Sequence, residues 1–337
     1  MLTDIEYDFF RRADPAGFIL FTRNCEHPVQ VRDLVSALRD SVGRPDAPVL
    51  IDQEGGRVQR LGPPHWPAMA PGKAFAEMAE ADMTGAVGAA ELHGRLLAAD
   101  LEALGITVNC APVADILRPE THDVIGDRAF GTEPDRVGQL AAAVCRGLLA
   151  GGVTPVIKHL PGHGRARVDS HADLPVVATS REILSQTDFA VFRHIAQMPW
   201  APMSWAMTAH IVYSAIDPSQ PASTSKSVLR KIIRAHIGFG GILISDDIGM
   251  QALDGDMAER AKACLAAGCD LTLHCSGDLG EMEQAMDGTR RMRDIALHWL
   301  YRAEQGRREF HAKAMDKVSF DAAAARARLQ AALAGVS

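Results

Sequence analysis

The sequence contains no CxxC pair. Its six cysteines (Cys25, Cys110, Cys145, Cys264, Cys269 and Cys275) are scattered, several of them inside apolar runs. That spacing excludes a zinc cluster built on close thiol pairs and predicts buried, reduced thiols of a cytosolic protein. Basic charge is not in excess: 35 Lys and Arg stand against 42 Asp and Glu, a formal net charge of -7. This excludes a global electrostatic pull toward nucleic acid or an anionic membrane. A long unbroken apolar run is missing too, because the best window, LAAAVCRGLLAGGVTPVI, is interrupted by Arg146 and by glycines. It makes a poor membrane span. The opening MLTDIEYDFF carries acid where an export leader needs basic residues, so the expected location is cytoplasmic. Aromatic residues are only 5%, which favours a pocket over a long stacking cleft. No glycine-rich turn follows an early strand, and GFGG at 238–241 precedes one, which argues against a dinucleotide-binding doubly wound sheet.

What is present is a core-forming composition, 47% apolar and 23% charged. Short apolar, β-branched runs recur between helical patterns: GFILF (17–21), PVLIDQE (48–54), ITVNCAPV (106–113), TPVIKHL (154–160), AMTAHIV (206–212), GILISDD (241–247) and CDLTLHC (269–275). Strands apolar on both faces and separated by helices indicate parallel βαβ units. Helical patterns such as EPDRVGQLAAAVCRGLLAGG and TSKSVLRKIIRAHIGFGG end in glycine, as helix C-termini commonly do. With no linker and no repeat, the expectation is one α/β domain over 1–337, a (β/α)8 TIM-type barrel with C-terminal helices from about 290 onward. Polar groups cluster where the strands end: Asp52 and Glu54, Asp115, Lys158 and His159, His210, Asp246 and Asp247, His274. In such a barrel those ends converge on one face.

Four fragments carry chemistry. ILISDDIGM puts two carboxylates at the end of a buried strand, where successive side chains face opposite ways, so one of Asp246 and Asp247 enters the site. IDQEGGRVQR offers Asp52, Arg57 and Arg60, either for sugar hydroxyls and charged substrate oxygens or for a turn with a surface ion pair. IGDRAFG offers Arg128 with the same two readings. KHLPGHGRARVDSH packs Lys158, His159, His163, Asp169 and His171 around a Pro-Gly turn. A metal site there would lack any compact ligand spacing and would hold Lys158 beside the ion. A phosphate cradle would need a glycine-rich turn opening a helix. The third reading is an acid/base loop.

In order along the chain, IDQEGGRVQRL, IGDRAFG, KHLPGHGRARVDSH, MTAHIVYSAID and GILISDDIGM resemble the family three glycoside hydrolases, specifically the bacterial β-N-acetylglucosaminidases of cell-wall recycling, over about residues 17–280. The resemblance implies a retaining exo-glycosidase. Asp246 matches the nucleophile that forms the glycosyl-enzyme, His171 the general acid/base and Asp169 its orienting partner. Asp52, Arg128, Lys158 and His159, with Arg60 beside them, match the residues that hold N-acetylglucosamine. No metal or organic cofactor is implied. The implied partner is a small muropeptide or chitobiose-like substrate, with neither nucleic acid nor membrane involved. Two rivals stay open: a phosphorylase on the same scaffold, and a sugar-binding protein without turnover. The family also has a short strand before its first helix, whereas here TDIE forms a capping-box pattern almost at Met1. The chain is therefore expected to lack that first strand, through its true start or one assigned too far downstream. The strands GFILF and CDLTLHC would then be open edges through which it could associate.

Overall fold

In the computed structural model, residues 2–170, 173–315 and 320–335 are described. Seven parallel strands form a single curled sheet, in chain order: β1 (Phe18–Leu20), β2 (Val49–Ile51), β3 (Val108–Asn109), β4 (Thr154–Leu160), β5 (Trp205–Thr208), β6 (Ile242–Asp247) and β7 (Leu271–Leu273). All seven fall within, or within one residue of, the apolar runs that predict them. AMTAHIV is the main correction. The strand stops at Thr208, and Val212–Tyr213 instead pairs with Val176–Val177 in a separate two-stranded ribbon. The fully buried His210, bonded to Ser223 at 2.8 Å and to the Asp247 carbonyl at 3.0 Å, holds the intervening turn.

Register turns this sheet into a site. Ile19 pairs with Leu50, Leu50 with Val108, Val108 with Thr154, Val156 with Trp205, Trp205 with Ile242 and Ile244 with Leu271. Leu50, Val108, Val156, Trp205, Met207, Ile242, Ile244 and Leu273 pack together as an inner core, with Ile19 and Leu271 against it. Their sequence neighbours Val49, Ile51, Ile157, Ala206 and Leu243 join the larger cluster beneath the helices. Because strand side chains alternate faces, two more residues from Leu50, Val156 and Ile244 bring Asp52, Lys158 and Asp246 onto the inner face at the C-terminal mouth.

A closed eight-stranded barrel is not formed by the described residues. The strand order ends at β1 and β7. A cavity of about 1210 Å³ lies between them, lined by Ile19, Leu20, Leu271 and Leu273 among others. Helix α1 (Asp4–Ala13) precedes the sheet, and its N-cap Thr3 and Glu6 make the reciprocal bonds that TDIE predicts.

Helix α2 (Pro28–Ser41) follows β1. Helices α3 (Gly72–Ala81) and α4 (Met83–Glu102) fill the connection from β2 to β3, and α5 (Pro134–Ala150) the one from β3 to β4. The close approach of α4 and α5 rests on two glycines. A Cβ on Gly94 would lie 2.3 Å from the Val144 carbonyl, and one on Gly147 would lie 2.1 Å from that of Glu91. Alanine is intrinsically the better helix former, by about 1 kcal/mol, but a backbone atom cannot yield as a flexible side chain can. Gly147→Ala is therefore expected to be net destabilising by about 1–2 kcal/mol, read as a lowered Tm. An unchanged or higher Tm would show that the helices can separate without cost. Among the described residues, no helix is long and apolar enough to cross a membrane.

Candidate active site

At the mouth, Lys158 is 2% exposed, with Nζ 2.8 Å from Asp52 Oδ1 and 2.7 Å from Glu54 Oε1. Arg60 reaches Asp52 Oδ2 at 3.1 Å. Arg128 donates from Nε and Nη2 to the two Glu54 oxygens, both at 2.8 Å, and from Nη1 to the Val124 carbonyl. Burial alone would neutralise these groups, but the ion pairs reverse it. Against desolvation, Asp52 and Glu54 hold the Lys158 ammonium above its usual range, while Lys158 and Arg60 hold the Asp52 carboxyl well below its own. Glu54 is likewise depressed against burial, by Arg128 and Lys158. Three cations thus share two carboxylates, leaving one positive charge over.

Asp246, two residues beyond Ile244 on the same inner face, is 8% exposed. Burial disfavours its ionised form, yet His159, His210, the Asp247 amide at 2.8 Å and Lys158 together hold the carboxyl below the ordinary range. Asp246 is ionised and inward-facing. Asp247 is spent on the backbone, accepting from the Gly249 and Cys275 amides at 2.9 and 3.2 Å, and burial raises its pKa.

Asp115, wholly buried, is the hub of the other wall. Its Oδ2 lies 2.6 Å from His159 Nδ1, and its Oδ1 accepts the amides of His159 at 3.2 Å and His163 at 2.6 Å. A carboxylate on Nδ1 fixes the tautomer and leaves Nε2 of His159 for a ligand.

The structure thus draws Asp52, Arg60, Lys158 and Arg128 into one ion cluster, and places His159 among the groups that favour the ionised form of Asp246. Asp169 is half-buried on the loop after Gly164, and His171 lies outside the described residues. Arg57 serves structure: it pairs with Asp127 at 2.7 Å and bonds the Ile125 carbonyl, tying down the loop that carries Arg128. Two functional residues, Glu54 and Asp115, receive no role from the sequence reading. The signal was the alternation Asp52-Gln53-Glu54 beyond a buried strand, and a lone acid just after ITVNCAPV. Among the described residues, no three His, Cys, Asp or Glu side chains are placed to hold a metal ion.

The arrangement therefore provides an ionised carboxylate as nucleophile or base, a fixed imidazole beside it, and a set of polar groups suited to several hydroxyls. The model of the glycosyl hydrolase family 3 N terminal domain matches residues 9–295. A β-hexosaminidase of Pseudomonas aeruginosa is 40% identical over 296 residues, 87% of this chain and 84% of that one. NagZ of Neisseria gonorrhoeae, solved in complex with N-trifluoroacetyl-D-glucosamine, superimposes with a TM-score of 0.79 at 32% identity, covering 99% of this chain and 93% of that one. A glycoside hydrolase family 3 β-N-acetylglucosaminidase from Paenibacillus sp. superimposes with a TM-score of 0.81 at 28% identity, covering 95% of this chain but 60% of that longer one.

Proposed function

Because the chain belongs to glycosyl hydrolase family 3, we propose that it is a retaining exo-β-N-acetylglucosaminidase that releases terminal β-linked N-acetylglucosamine from muropeptide-type fragments. The observation that carries this reading is Asp246, ionised and inward-facing at the end of β6, beside a cluster rich in paired donors and acceptors.

In the first step an Asp246 oxygen bonds to the anomeric carbon while the glycosidic C–O bond breaks, and His171 gives its proton to the departing oxygen. In the second, His171 takes a proton from water, whose oxygen displaces Asp246 with net retention. Asp169 orients the imidazole and stabilises its charged form. Asp52, already paired with Lys158 and Arg60, has lone pairs left for neighbouring hydroxyls. His159 Nε2, Lys158, Arg128 and Arg60 complete the sugar pocket. Release of N-acetylglucosamine from N-acetylglucosaminyl-anhydro-N-acetylmuramic acid tests the reading. Formation of the sugar 1-phosphate when phosphate is added would favour phosphorolysis, and binding without release a sensor.

His171→Ala is expected to lose about 10² to 10⁴-fold in kcat on that disaccharide and far less on 4-nitrophenyl β-N-acetylglucosaminide, whose leaving group needs little protonation. Equal losses on the two substrates would remove His171 from the acid role.

A further inference from the structure

Between Pro161 and Ser170 the chain leaves the mouth and returns, and the described residues anchor it at both feet of this arch. Around the first foot, Asp115 accepts the His163 amide at 2.6 Å, Tyr213 donates to the Gly162 carbonyl, Thr121 donates to that of Gly164, and the His122 amide donates to Ala166 at 3.0 Å. Arg165 reaches Asp188 at 2.7 Å. Gly164 is pressed so close that a Cβ there would lie 1.7 Å from the Ile116 carbonyl. Arg167 and Val168 are then exposed and Asp169 half-buried, before Ser170 returns to 3% exposure.

At this second foot, Ser170 Oγ lies 3.3 Å from His163 Nε2 and 3.9 Å from Met250 Sδ. The His163 ring is itself 3% exposed and packs edge-on against His159, with centroids 5.4 Å apart. Among the described residues its Nδ1 has no hydrogen-bond partner, and the polar contact they give the ring is the one with Ser170. Burial, with the neighbouring His159, lowers its pKa to about 4, so the ring stays neutral through the physiological range.

We propose that His163 is a positioning residue: through Ser170 it fixes where the acid/base segment rejoins the mouth, and through its own amide it ties that segment to Asp115, the carboxylate that orients His159. The inference rests on the reading of Asp169 and His171 as the acid/base pair. Ser170 stands between those two positions in the chain, so a hydroxyl seated against a rigid ring fixes the residue that joins them. Proton transfer is steep in distance, and a displacement of about 1 Å can cost about 10²-fold in rate. His163 acts through Ser170 and not on the reacting atoms.

The test compares Ser170→Ala, His163→Ala and His163→Gln in the full chain, on chitobiose and on 4-nitrophenyl β-N-acetylglucosaminide, with pH profiles and Tm. Ser170→Ala should lower kcat on chitobiose by about 10- to 100-fold, spare the nitrophenyl substrate, shift the basic arm of the profile and leave KM close to wild type. His163→Ala should match it, and the double variant should be no worse than either single one, because both remove the same link. His163→Gln, whose amide nitrogen stands near the place of Nε2, should recover part of the rate. Wild-type kinetics in Ser170→Ala, or equal losses on both substrates, would overturn the proposal, and Ser170→Ala decides the matter even if His163→Ala fails to fold. His171→Ala measured in parallel separates the two levels. If it loses equally on both substrates, the acid/base reading falls and the proposal with it. If it shows the leaving-group dependence and Ser170→Ala does not, only the positioning role falls.

Discussion

Asp246→Ala is expected to lower kcat by about 10⁴-fold or more on both natural and nitrophenyl substrates while leaving the fold intact. The indifference to leaving group separates this variant from His171→Ala: without a nucleophile the glycosyl-enzyme cannot form, however good the leaving group. The structural cost should be small, because the carboxyl is held by long-range charge and by the amide of its neighbour, with no direct ion pair to break among the described residues. Removing a buried negative charge also relieves its desolvation. Binding of N-acetylglucosamine should persist, since Asp52, Lys158, Arg60 and His159 remain in place. Turnover within about tenfold of wild type would mean that another group, or the substrate's own acetamido oxygen, attacks the anomeric carbon.

Lys158→Met is expected to be the most destabilising substitution at the mouth. The lysine is 2% exposed and bonds two buried carboxylates at 2.8 and 2.7 Å. Methionine fills much of the volume but leaves Asp52 and Glu54 facing each other with only Arg60 and Arg128 as counter-charges. Breaking a buried pair in this way costs about 3–5 kcal/mol, and for a chain of this size each kcal/mol lowers Tm by about 1–2 °C. Binding of N-acetylglucosamine should weaken as well, since the site loses a donor and Asp52 loses part of its anchorage. The control is Arg11→Ala. Its pairing with Asp8 is exposed on both sides, so its loss should cost less than about 1 kcal/mol. A Lys158→Met protein as stable as Arg11→Ala would show that the cluster relaxes or admits water.

Much of this architecture was legible because parallel strands buried on both faces leave continuous apolar runs. TPVIKHL coincides with β4 residue for residue, and GILISDD with β6 plus one residue at its start. Asp52, Lys158 and Asp246 were legible for the same reason, each standing two residues beyond an apolar inner position. The hairpin Gln53–Gly55 with Val58–Gln59 was less visible, because its GGR turn lies in a polar stretch with no alternation. Helices α3 and α4 were equally hidden. Alanine and glycine make up much of α4, and small residues that let helices touch leave a weak periodic signal. Glu54 and Asp115 stood in view without a role, since what defines them is a partner far along the chain: Arg128 for one, His159 for the other.

The central claim is that Asp246 forms the covalent intermediate, and trapping tests it most directly. Incubation with a 5-fluoro N-acetylglucosaminide slows the second step, and fragmentation mass spectrometry of the digested protein locates the sugar. The account predicts one added sugar per chain, on Asp246 and not on Asp247, with Asp246→Ala unlabelled. A label on any other residue, or full turnover of natural substrate with no labelled peptide under any trapping condition, would contradict it.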